Sequence, residues 1–299
     1  MTSHSENLRG AGLMALAMTC FALNDTSVKL VAQDLPLMQV ILMRGIVACA
    51  LVGIIAWRRG GLTFRGVSGR DWGLMLLRGL VEAGAAWTFL TALLSMPLAD
   101  LTAILQALPL AVTLGAALVF GEQVGWRRWA AIGAGFLGVL LIVRPGTDVF
   151  SAASALGVAT VALSATRDLV TRRLSPGVPT LLVSLVSMGI VACMGALLML
   201  GQDWGRPTAG ASGLICLSAL FVTAAILSVV TAMRLGDVGF VAPFRYTGLL
   251  AAMVAGLVVF GEFPDALTLT GAAIVVGSGV FSFWRERRIG IARPRVPPR

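Results

Sequence analysis

Histidine is almost missing from this sequence: His4 stands alone among 299 residues. That scarcity argues against chemistry centred on an imidazole, whether acid–base catalysis or a histidine-ligated metal. Charge is scarce too. Only 12% of residues are Asp, Glu, Lys or Arg, against roughly 25% in ordinary soluble domains. The four cysteines, Cys20, Cys49, Cys193 and Cys216, sit in apolar runs without paired or metal-ligand spacing. They read as small buried hydrophobes. No Gly-rich loop ending in Lys-Ser or Lys-Thr occurs, so nothing suggests a nucleotide-driven machine. No catalytic residues, no metal and no cofactor are expected.

What is abundant is apolar surface. Hydrophobic residues make up 58% of the chain, and mean hydropathy is +0.91. A soluble fold of this size could not hide so much, whereas lipid solvates it. Crossing roughly 30 Å of hydrocarbon takes about 20 helical residues. Ten stretches fit, near 11–31, 37–57, 72–94, 98–119, 126–143, 152–170, 178–200, 211–233, 238–259 and 266–284. They must be helical, because unpaired backbone is costly in lipid. The expected fold is an all-α integral membrane protein with ten transmembrane helices. The first stretch is too long for a cleavable signal peptide.

The formal charge of +9 invites a nucleic-acid partner, but its distribution does not. With both termini placed in the cytoplasm, cytoplasmic segments hold 16 of the 23 Lys/Arg, and the opposite side holds only Arg144 and Arg206. That is a strong positive-inside bias. It points to anionic lipid, not nucleic acid, and to the cytoplasmic (inner) membrane of a bacterium.

A weak internal repeat runs through the chain. Phe120-Gly121-Glu122 recurs as Phe260-Gly261-Glu262, and Met96-Pro97-Leu98-Ala99-Asp100 is echoed by Met233-Arg234-Leu235-Gly236-Asp237. Asp25 corresponds to Asp168, Lys29 to Arg172 and Pro36 to Pro179, all at offsets of 137 to 143 residues. Five spans per half is an odd number, so the second half enters from the opposite side. The expected organisation is a tail over 1–10, five-helix repeats over 11–146 and 147–284, and a basic tail over 285–299. Inverted repeats suit alternating access around a central site. Pro109 and Pro243 lie in or near the fourth and ninth spans, where each removes a backbone donor.

Ionisable residues inside spans should face a cavity or a partner. They are Asp25, Lys29, Arg44, Arg78, Glu82, Arg167, Asp168 and Arg245. Arg78 and Glu82, four apart, can pair on one face, as can Asp25 and Lys29. Lys29 can instead snorkel to headgroups. Arg44 has no acidic neighbour within a turn. Arg167 and Asp168 are adjacent and, by helix geometry, call for separate interhelical partners. Arg245-Tyr246 follows Pro243 in the ninth span and offers a fixed cation beside the sole tyrosine. Asn24, Trp87 and Gln106 add polar and stacking groups. For each of these the alternatives are substrate binding or gating on one side and structural pairing or packing on the other. Asp25 and Glu82 are the candidates to carry a proton. The expected partners are a small-molecule substrate and membrane lipids, and monomer and dimer stay equally open.

Several short stretches together resemble the drug/metabolite transporter superfamily, in its ten-helix, two-repeat branch. They are Phe120-Gly121-Glu122 through Trp126, Gly133-Ala134-Gly135-Phe136-Leu137-Gly138, Arg144-Pro145-Gly146, Ala242-Pro243-Phe244-Arg245-Tyr246 and Phe260-Gly261-Glu262-Phe263-Pro264-Asp265. The resemblance implies inverted halves around a central cavity, cytoplasmic termini and secondary transport without ATP hydrolysis. It also implies that Glu122 and Glu262 cap or brace the next helix. The Pro-Phe-Arg-Tyr and Glu-Phe-Pro-Asp pieces look similar to those of S-adenosylmethionine uptake carriers and riboflavin transporters, with amino-acid exporters as relatives. A channel or a membrane scaffold is the reading from another class.

Overall fold

A computed structural model describes residues 4–58, 67–121, 125–145, 152–235 and 237–292. These form ten helices. They are α1 (His4–Val31), α2 (Leu37–Arg58), α3 (Gly69–Ser95), α4 (Leu98–Phe120), α5 (Trp126–Val143), α6 (Ala152–Thr171), α7 (Thr180–Leu198), α8 (Ala209–Leu235), α9 (238–260) and α10 (Ala266–Ala292). Nine are long and apolar enough to cross a membrane, and the apolar stretch of α5, Trp129–Val143, is shorter. The first and last helices extend beyond the spans expected from hydropathy, into both segments read as tails. Hydropathy reports only the length matched to lipid, and a helix continues past it wherever the backbone can still pair.

Two helices are broken, and both breaks fall beside the prolines. α4 is interrupted at Gln106 and Ala107, with Pro109 in the first turn of its second segment. α9 begins with Val238–Val241, tightens into a 3-10 turn over Ala242–Tyr246 that contains Pro243, continues as Thr247–Ala255 and closes in a π turn over Gly256–Phe260. Both helices stop at a glycine in the left-handed region, Gly121 at φ 66° and Gly261 at φ 67°. A side chain there would clash with the following carbonyl. This explains the middle residue of the recurring Phe-Gly-Glu.

The broadest packing is of α1 along α8, α3 along α6, α5 along α10 and α2 along α7. α1 also touches α9, and α4 touches α6. The main buried cluster includes Val28, Ile41, Leu90, Leu93, Leu101 and Ile215, drawn from helices of both halves. Outward, Leu118, Leu200 and Val258 are more than 70% exposed, as lipid contact requires. Trp57, Trp126 and Trp204 near helix ends are exposed as well, which suits membrane-interface anchors.

α5 and α10 cross at glycine. A methyl on Gly138 would lie 2.7 Å from the Gly271 carbonyl oxygen, and one on Gly271 would lie 2.6 Å from that of Gly138. Backbone approaches backbone here, and the Val275 and Ile142 side chains crowd the same crossing at 2.9 and 2.7 Å from the two methyl positions. Gly133, on the same helix, has open space around it. Gly138→Leu should therefore destabilise the solubilised protein by about 1–3 kcal/mol or more. Gly133→Leu should be near neutral. Thermal melts of the two variants in detergent check the contrast.

Candidate substrate site

α3 and α6 bring the first charge group together. Glu82 accepts from Arg167 Nη1 at 3.0 and 3.3 Å, and Arg78 Nη2 lies 3.7 Å from the same carboxylate. Arg78 donates through Nε to the Thr171 hydroxyl at 2.9 Å, and through Nη1 to Ser187 on α7. The expected Arg78–Glu82 pair is present, but the tighter partner comes from another helix. Arg167 has the interhelical partner expected of it in Glu82, but Arg167 and Asp168, adjacent in sequence, also bond to each other. Arg167 Nε reaches Asp168 Oδ1 at 2.9 Å and Nη2 reaches it at 2.8 Å. The spacing rule concerns Cβ directions, and the long arginine stem folds the guanidinium back past it.

A second group joins α1 and α2. Arg44 Nη1 donates to Asn24 Oδ1 at 3.1 Å, and Asn24 Nδ2 donates to Asp25 Oδ1 at 2.8 Å. The amide thus relays between cation and carboxylate. Arg44 also lies in the fields of Asp25 and Glu82, which links this group to the first. From α9, Arg245 lies in the fields of Asp168 and Arg167, but it makes no ion pair among the described residues. Asp25, Arg44, Glu82, Arg167, Asp168 and Arg245 therefore form one electrostatically connected set drawn from five helices.

Tyr246 is only 7% exposed, and its hydroxyl is buried without a hydrogen-bond partner. The ring fills a notch in α10: a methyl at Gly279 would fall 1.6 Å from the hydroxyl oxygen. Gln106 is buried at the break of α4. Trp87 is not brought to the charges. It is 46% exposed, in a stripe with Leu80 and Leu94, on the side of α3 opposite Arg78 and Glu82.

One end of the bundle carries its own cluster. Lys29, only 9% exposed along its side chain, pairs with Glu262 at 2.9 Å. It also donates to the Met96 carbonyl at 3.1 Å and lies 4.7 Å from the centre of the Phe260 ring. Glu262 further accepts from the Leu98 N–H at 3.4 Å. Lys29 therefore neither snorkels nor pairs with Asp25. Glu262 braces α1 and the start of α4. The cap of α10 is Asp265, which accepts from the Thr268 N–H at 2.8 Å. Glu122 lies outside the described residues. Asp265 is also held by Arg144, which occupies the left-handed region at φ 50°. Asp100 sits between these pairs, with one carboxylate oxygen buried and unpartnered.

Sequence reasoning missed Gln39 altogether. Its amide donates to the Gly205 carbonyl at 2.8 Å and accepts from the Gly205 N–H at 2.9 Å. This ties the loop before α8 to α2. A completely buried glutamine inside an apolar helix was the available signal.

Lys29→Met should cost on the order of 2 kcal/mol, since it strands Glu262 while that side chain keeps some solvent. The exchange Lys29→Glu with Glu262→Lys should recover part of the loss in thermal melts. The Arg144 guanidinium and the Thr268 N–H pull the Asp265 carboxyl down to about 2. Such a depressed group stabilises above the ordinary carboxylate value, and that contribution disappears only as pH falls through its folded value. The melting-temperature deficit of Asp265→Asn should accordingly stay flat from roughly pH 5 to 8.

Residues 8–144 match the EamA-like transporter family. A riboflavin transporter of Vibrio cholerae is 32% identical over 62% of this chain, and the match spans 63% of that protein. An S-adenosylmethionine uptake transporter of Rickettsia felis is 24% identical over 94% of both chains. A crystal structure matches at TM-score 0.61 and 21% identity, covering 96% of this chain and 99% of the other; that similarity concerns fold alone. The all-helical bundle and its membrane-length helices agree with the likeness of residues 8–144 to the EamA-like transporter family, within the drug/metabolite transporter superfamily.

Proposed function

We propose that this protein is a secondary carrier that moves a small zwitterionic or heteroaromatic metabolite by alternating access, with riboflavin and S-adenosylmethionine as the candidate substrates. The observation that carries it is the connected set of ionisable side chains on α1, α2, α3, α6 and α9. Charges in lipid gather where water or a polar ligand enters. Here they come from both halves of the chain. The helix pairing supports an inverted repeat. Exchanging each helix with the one five places away turns α1·α8 into α3·α6 and α1·α9 into α4·α6, and leaves α2·α7 and α5·α10 unchanged. A twofold arrangement has that property. It makes α5 the tenth crossing, because α5 packs along the membrane-length α10. The basic segments favour cytoplasmic termini.

The chemistry of the set selects the substrate class. Arg44, Arg78, Arg167 and Arg245 face Asp25, Glu82 and Asp168. The surplus cation is Arg245, whose guanidinium matches a carboxylate or the carbonyl edge of a ring. Asp25, which among the described residues receives only the neutral Asn24 amide, suits an ammonium or sulfonium group, or a proton. Glu82 is already held by two guanidiniums. We therefore assign proton exchange to Asp25 and a positioning role to Glu82. The Lys29–Glu262 tie closes the end of the bundle at which it lies and must open in the exchange.

Purified protein in liposomes should show saturable uptake and counterflow with riboflavin or S-adenosylmethionine. Flux without counterflow from either would sink the carrier in favour of a channel. Arg245→Ala should lower uptake about tenfold or more, as expected for losing a charged hydrogen bond. Tyr246→Phe removes a buried hydroxyl that has no partner in this conformation, so stability should hold or rise. Its uptake should still fall, because the hydroxyl is assigned to substrate in the alternate state. Asp25→Asn should abolish proton-driven accumulation while counterflow survives.

A further inference from the structure

At the end of the bundle remote from Lys29, three arginines converge on a groove that the transport site does not use. Arg70 opens α3, Arg172 and Arg173 follow α6, and Phe120 ends α4; together they line a groove of about 450 Å³. The Arg173 guanidinium lies 5.1 Å from the centre of the Phe120 ring. That contact steadies the cation without neutralising it. The neighbouring carboxylate is already committed. Asp71 accepts from the Ser68 hydroxyl at 2.7 Å with one oxygen and from the Ser175 N–H at 3.1 Å with the other. Arg70 and Arg173 are exposed and make no ion pair among the described residues.

The other end of the molecule offers a contrast. Lys29 also stands against a phenylalanine, Phe260, but it is buried and neutralised by Glu262. There the positive charge is consumed internally. At the arginine end it faces outward. The groove also sits at interface depth. Just beyond Phe120, Trp126 and Trp129 at the start of α5 are exposed, and Arg127 lies 5.3 Å from the Trp126 ring. Tryptophan with arginine marks the headgroup level, and the charge distribution places this end toward the cytoplasmic leaflet, where anionic lipid is attracted.

We propose that this groove binds the phosphate group of an anionic lipid headgroup. Guanidinium forks match phosphate oxygens in geometry and charge. The volume is that of an ordinary ligand site, enough for a phosphodiester with its glycerol. Phe120 gives the acyl-linked side of the headgroup an apolar wall. Bound lipid would tie the start of α3 to the end of α6 and the end of α4, three elements that belong to both halves.

The test is retention of phosphatidylglycerol or cardiolipin by delipidated, detergent-solubilised full-length protein, read by native mass spectrometry and by thermal shift. Phosphatidylcholine and inorganic phosphate serve as the other two probes. Each basic residue near a headgroup is worth about fivefold in affinity, so Arg70→Gln with Arg173→Gln should bind roughly 30-fold more weakly. Both positions are exposed, and a single monodisperse peak on size exclusion verifies folding. Arg206→Gln, exposed at the opposite end, should change nothing. Preferential retention of the anionic lipids, lost in the double variant alone, supports the site. Equal retention by wild type and double variant overturns it. Inorganic phosphate shifting the melt as much as the lipids assigns the groove to free phosphate and overturns the lipid.

Discussion

An ion buried in hydrocarbon is tolerated only where another group replaces the water it gives up. Glu82 meets this condition through Arg167 and Arg78, and Lys29 through Glu262, the Met96 carbonyl and the Phe260 ring. The same rule governs the uncharged groups. Thr26, Ser27, Thr102 and Thr160 each return their hydroxyl proton to the carbonyl four residues back, and Thr88 meets Thr160 across α3 and α6 at 2.8 Å. Among the described residues the exceptions are Arg245, which makes no ion pair, and the buried Tyr246 and Asp100 oxygens, which have no hydrogen-bond partner.

Most of the helices can be read from hydropathy, because lipid imposes a length and a composition together. The breaks in α4 and α9 follow from proline, and the stops at Gly121 and Gly261 from a φ that side chains resist. The partners of the charges were much less legible. Lys29 and Glu262 are 233 residues apart, and no local pattern links them. Arg167 and Asp168 misled in the other direction, since rules built on Cβ geometry ignore how far a guanidinium swings. Gln39 went unnoticed because one amide in an apolar helix resembles noise until the Gly205 backbone is seen opposite it.

The two ends of the bundle treat positive charge differently, and the difference gives the molecule a direction. At the Lys29 end, two of the cations are tied, Lys29 to Glu262 and Arg144 to Asp265, and Arg206 is exposed. At the other end, Arg70 and Arg173 stand open beside a groove. The helix pairing is alike at the two ends, but these side chains are not. Unequal ends give a membrane with unequal leaflets a means to distinguish one orientation of the protein from the other.

The notch that Gly279 cuts in α10 bears on the protein's ancestry. The ring at 246 reaches so far into it that a β-carbon at 279 would fall 1.6 Å from the hydroxyl oxygen and 2.6 Å from the ring carbon that bears it. The two positions therefore constitute one heritable unit. A lineage that acquires alanine at 279 must first exchange the tyrosine for something shorter, and one that keeps the tyrosine must keep the glycine. Covariation of this pair across descendants would record how long that aromatic group has occupied the protein's interior.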